Sequence, residues 1–108
     1  MQQVLTFRRV ETRNFSVYGD DVKRDDPNKP TLIMLDIPQR ELRYASGVTV
    51  EFYNDIDVVD QSVTWSRTTE GDNTRLSYKL FLNEPYRVEK YRGDRMYYYG
   101  EELYELCQ

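Results

Sequence analysis

The stretch 78–106 constrains this chain most: aromatic and charged residues alternate along it, interrupted by Arg92-Gly93-Asp94 and by Gly100-Glu101. Side chains of a strand point to opposite faces in turn, so this alternation marks extended chain, and each glycine beside an acidic residue marks a turn. The expected order is strand, turn, strand, turn, strand. With a two-residue turn at Gly100-Glu101, Tyr98 would face Leu103 and Tyr97 would face Tyr104 across the last hairpin. In Arg95-Met96-Tyr97-Tyr98-Tyr99 the rings fall on both faces of a strand. A chain of 108 residues fills one core, so one tyrosine face is left over for a partner. That points to interaction or assembly rather than catalysis.

The rest of the chain is also strand-like. Residues 4–10 alternate, 31–37 form a nearly continuous apolar run ended by Pro38, and Val48, Val50 and Phe52 share a face, as do Leu76, Tyr78, Leu80 and Leu82. Those seven residues are the expected core, with Trp65 as a further member. Residues 39–44 are read as one helical turn, the only helix expected. Phe15-Ser16-Val17-Tyr18 is a short apolar fragment, and after it 19–30 carries a single apolar residue other than proline, Val22. Too polar to supply core, this stretch is expected to be a long mobile loop. The expected fold is therefore all-β: one domain over 1–108, a small antiparallel barrel or sandwich with one long polar loop and at most a short helix.

Chemistry-bearing residues are sparse. The chain has no histidine, which removes Ser-His-Asp and Cys-His catalysis and His-ligated zinc. A lone Cys107 excludes thiolate clusters and an internal disulfide, which fits a reducing compartment. No phosphate-binding glycine loop is present. Asp20, Asp21, Asp25 and Asp26 cluster in the polar loop and Asp55, Asp57 and Asp60 cluster further on, but neither has the calcium-loop spacing. No enzyme activity, cofactor or metal is expected. The net charge of −4 disfavours binding along a nucleic-acid backbone. Arg8, Arg9 and Arg13 are the local exception, read as a solvated strand edge protected from edge-to-edge pairing. The start Met1-Gln2-Gln3-Val4 has neither the basic nor the apolar part of a signal peptide, and no apolar run spans a membrane. The expected location is the cytoplasm of the producing cell, without membrane attachment. The alternative function from charge alone is a small acidic inhibitor or immunity-type protein that blocks a nucleic-acid-processing enzyme.

Lys79-Leu80-Phe81-Leu82-Asn83-Glu84-Pro85, followed by the stretch from Gly93-Asp94 through Tyr97-Tyr98-Tyr99-Gly100 to Leu106, resembles the C-terminal pattern of small head-completion proteins of tailed phages. The resemblance covers about the last quarter to third of the chain. It implies a small β-barrel that self-associates into a ring beneath the portal, joins head to tail within the virion, and performs no catalysis. The extended arm of such proteins would correspond to 19–30. The expected partner-binding residues are then Tyr91, Tyr97, Tyr99 and Tyr104 on the tyrosine hairpin, with Asp20, Asp21, Lys23 and Arg24 on the arm.

Overall fold

The computed structural model describes residues 4–44, 49–51 and 59–107. Among them are nine strands: β1 (Val4–Asn14), β2 (Asp21–Arg24), β3 (Leu32–Asp36), β4 (Glu41–Arg43), β5 (Thr49–Glu51), β6 (Ser62–Thr68), β7 (Arg75–Phe81), β8 (Arg87–Arg92) and β9 (Tyr97–Cys107). They form one antiparallel sheet in the order β5-β4-β3-β1-β9-β8-β7-β6, with β2 beside β1 off that path. The sheet curls into a half-barrel. Val48, Phe52, Asp55 and Asp57 lie outside the described residues, while Val50 pairs with Leu42 at the β4–β5 rung.

The alternation in β7 does what its period predicts. Tyr78 and Leu80 are buried, and Leu76 and Leu82 pack partly buried against the same core. Pairing carries that face sideways, because residues directly opposite in neighbouring strands share a side. Leu80 lies between Val63 and Val88, and Tyr78 between Trp65 and Lys90. Phe7, Ile33, Leu35, Leu42 and Tyr104 complete the buried cluster, and Trp65 belongs to it. Tyr44, just past β4, lays its ring 5.5 Å from that of Trp65 and 5.3 Å from that of Tyr78, so it ties one flank of the curl to the other.

Four expectations are corrected. First, β9 runs unbroken through Gly100 and Glu101; it pairs with β1 on one side and β8 on the other, so the tyrosine hairpin with a turn there does not form. Second, 19–30 is not simply a loop. Asp21–Arg24 pairs with the C-terminal half of β1, from Glu11↔Arg24 to Asn14↔Asp21, although all four of its residues are exposed. Backbone hydrogen bonds, which hydropathy does not register, hold this strand in place. Third, 39–44 holds no helical turn: 37–40 turns, Arg40 takes φ 53°, and β4 follows. The Arg40 N–H donates to the Ile37 carbonyl at 3.2 Å, and the left-handed residue stops the turn from continuing as a helix. Fourth, Arg8, Arg9 and Arg13 lie on a strand that is interior to the sheet, flanked by β3 and β2 on one side and β9 on the other. In β3 only Ile33 and Leu35 are buried, and Leu32 and Met34 face out, so that apolar run is buried on one face.

Candidate protein-interaction surface

Two loops meet at one end of the half-barrel. The turn from β1 to β2 is built by Ser16, whose hydroxyl donates to the Gly19 carbonyl at 2.9 Å and accepts the Tyr18 N–H at 3.2 Å. Gly19 takes φ 120°, open to glycine and strained for other residues. This geometry projects Val17 and Tyr18 into solvent at 88% and 97% exposure. The Phe15 N–H donates to the Tyr99 carbonyl at 2.9 Å, which brings the turn against the start of β9 and the β8–β9 loop at 93–96. That loop and the first residues of β9 expose Met96, Tyr97 and Tyr98.

A β-bulge sorts the tyrosines. Lys90 opposes Gly100 but Tyr91 opposes Tyr98, so Tyr99 is the extra residue on β9. The Tyr98 and Tyr91 rings meet tilted by 34° at 5.3 Å on the outer side, with Phe15 edge-on to Tyr98 at 5.3 Å. Their hydroxyls donate to carboxylates, Tyr91 to Glu89 at 2.7 Å and Tyr98 to Glu101 at 2.8 Å. Burial, and then these carboxylates, push the Tyr91 hydroxyl up to about 12 and that of Tyr98 above its ordinary range. Tyr99 instead lies beside two cations, Lys90 Nζ at 5.4 Å and the Arg92 guanidinium at 5.1 Å from its ring. Its hydroxyl is pushed up to about 12 by burial and by the neighbouring Tyr78.

Of the sequence-predicted partner residues, Tyr97 is well exposed, Tyr91 and Tyr99 are half-buried on opposite sides, and Tyr104 is in the core. Tyr104 is therefore corrected: its ring is buried and its hydroxyl donates to Glu102 at 2.9 Å. Asp20 stands just before β2, and Asp21, Lys23 and Arg24 lie on it, all exposed. Phe15, Val17, Tyr18, Met96 and Tyr98 complete the surface but were not among the predicted contacts. Their sequence signal was the apolar fragment 15–18, whose nearness to the tyrosines depends on a contact between distant strands.

The half-barrel interior holds a carboxylate hub. Glu102, 5% exposed, accepts from the Tyr104 and Tyr44 hydroxyls and from Arg9 at 3.3 Å, and Lys90 Nζ stands 4.0 Å away. Burial and the Glu102 charge push both tyrosine hydroxyls far above their ordinary values, and burial pulls Lys90 down. Arg9 also holds Asp25 at 3.0 Å, which clamps the end of β2 to β1. With this many donors, the carboxylate is satisfied by the protein itself. Arg13 pairs with Glu11 and Glu101, and Arg8 with Glu105, so the arginine trio is neutralised inside the sheet. Among the described residues no group of three or more acidic or cysteine side chains could hold a metal ion, and no helix is long and apolar enough to cross a membrane. Comparison with protein-family models, curated proteins and solved structures finds no match to this chain.

Proposed function

We propose that this chain is a non-enzymatic assembly protein that self-associates through the end carrying Val17, Tyr18, Met96, Tyr97 and Tyr98, as a component of a phage head-tail joining ring. One observation carries the reading: two loops from distant parts of the chain bring exposed apolar and aromatic side chains to the same end of the half-barrel. Isolated exposed rings are ordinary, but neighbouring ones mark contact surfaces. Tyrosine suits such surfaces, because the ring buries area while the hydroxyl keeps a hydrogen bond. The ring assignment itself rests on the sequence resemblance.

Mass measured in solution across a concentration series tests it. The wild type is expected to populate oligomers as concentration rises, and Tyr18→Ser with Tyr97→Ser to shift it toward monomer while the melting transition stays nearly in place, since both side chains are exposed. A wild type that remains monomeric at every concentration would overturn the self-association reading.

A further inference from the structure

We propose that Arg67 and Arg92, which share one face of β6–β8, together with the nearby Arg75 and Arg95, bind an acidic segment of a partner protein. Arg67, Leu76, Arg92 and Tyr97 are successive partners across four strands, so their side chains share one face. Arg67 and Arg92 are two strands apart, roughly 10 Å in the hydrogen-bonding direction. Arg75 starts β7, where its carbonyl accepts the Gly93 N–H at 2.7 Å, and Arg95 stands in the loop that Gly93 opens. All four are exposed, and among the described residues none makes an ion pair. Arg8, Arg9, Arg13, Arg24 and Arg87 each do. The adjoining turns carry Glu70, Asp72 and Asp94, which reduce the local charge without engaging these guanidiniums: Asp72 is held by Thr69 and Thr74, and Glu70 and Asp94 form no ion pair among the described residues.

Free guanidinium edges and the net charge favour a short acidic segment over a nucleic acid. The Arg92 guanidinium lies 5.1 Å from the Tyr99 ring centre and that of Arg67 lies 5.9 Å from that of Tyr78. A stacked guanidinium keeps its N–H edges free, which matches the two oxygens of a carboxylate. The net charge of −4 further repels a long polyanion. Exposed Met96 and Tyr97 flank these arginines and suit a segment in which acidic and apolar residues mix. This inference names a partner class for the protein-contact role proposed above and rests on it; Met96 and Tyr97 are common to both, and the arginines are its own.

The probe is a fluorescently labelled peptide of alternating glutamate and leucine, with a lysine-leucine peptide and an oligothymidylate of equal length beside it. The acidic peptide is expected to bind the wild type, to weaken as salt rises, and to lose about tenfold or more in affinity to Arg67→Glu with Arg92→Glu. Arg75→Gln with Arg95→Gln, which leaves both stacked arginines in place, should weaken it less, and thermal melts confirm that each variant is folded. Failure of the wild type to bind, unchanged binding by the folded charge-reversed variant, or tighter binding of oligothymidylate would overturn the proposal. Self-association of the charge-reversed protein should match that of the wild type, so loss of peptide binding and loss of assembly are read separately.

Discussion

Gly100 and Arg13 approach so closely across the β1–β9 pair that a Cβ on Gly100 would sit 2.6 Å from the Arg13 carbonyl oxygen. The glycine is there because no side chain fits, not because the chain turns. Lys90 Cε and Asn14 Oδ1, at 3.1 and 3.2 Å, close the remaining space. Gly100→Ala is therefore expected to destabilise the fold by about 1–3 kcal/mol, since a rigid backbone atom must move. Urea melts check this, and an unchanged midpoint would mean that the two strands separate easily.

Leu80 is fully buried between Val63 and Val88 in the middle of the curled sheet. Leu80→Ala should cost about 2–5 kcal/mol. Leu76→Ala, one rung from the end of β7 and only partly buried, should cost less. The order of the two in denaturant melts tests the assignment of the concave face.

Glu102 is buried with Arg9, Lys90, Tyr44 and Tyr104 around it, so removing the carboxylate takes the counter-charge from Lys90 and the acceptor from two hydroxyls at once, and leaves Arg9 with Asp25 alone. Glu102→Ala should cost about 3–5 kcal/mol, and Glu102→Gln less, because the amide still accepts from the hydroxyls. Pairing Glu102→Gln with Lys90→Met should recover part of the loss in a double-mutant cycle. Strict additivity would show that Lys90 and Glu102 do not interact.

Alkaline pH probes the same hub. Burial, then the Glu102 charge, raises the hydroxyls of Tyr44 and Tyr104 above their ordinary value of 10.0. The native state thus holds these protons more tightly than the unfolded chain does. Their contribution to stability is whole below pH 10 and is lost as pH rises beyond it. Melting temperature should fall steeply above about pH 10, more steeply than in Tyr44→Phe. Phenolate absorbance from the buried rings should appear only with unfolding; its appearance in the folded protein would contradict their burial.

Arg9 joins Asp25 to β1, and the Asp25 N–H donates to the Val10 carbonyl at 2.9 Å. Asp25→Ala should leave the core intact but speed amide exchange along β2, whose four residues are all exposed. Equal exchange in both proteins would show that the backbone ladder alone holds β2.

Period-two alternation is a local property, and it was enough to determine the all-β character of this chain. It also placed Tyr78 and Leu80 in the core, and the single tryptophan in a small β domain pointed Trp65 there too. The turn at 92–94 was legible for the same reason, because glycine beside aspartate acts within a few residues. What alternation cannot carry is the identity of the neighbouring strand. A glycine that turns and a glycine that makes room for a distant backbone read alike, so only the approach of Arg13 kept β9 straight through Gly100. That continuity turned Tyr104 into the core, and the bulge at Tyr99 shifted the alternation so that Tyr98 shares the outer face with Tyr91 and Glu101. β2 was hidden because its pairing rests on backbone hydrogen bonds and the Arg9–Asp25 clamp rather than on apolar burial. The aromatic end and the arginine group come from residues far apart in the chain, and only strand pairing made neighbours of them.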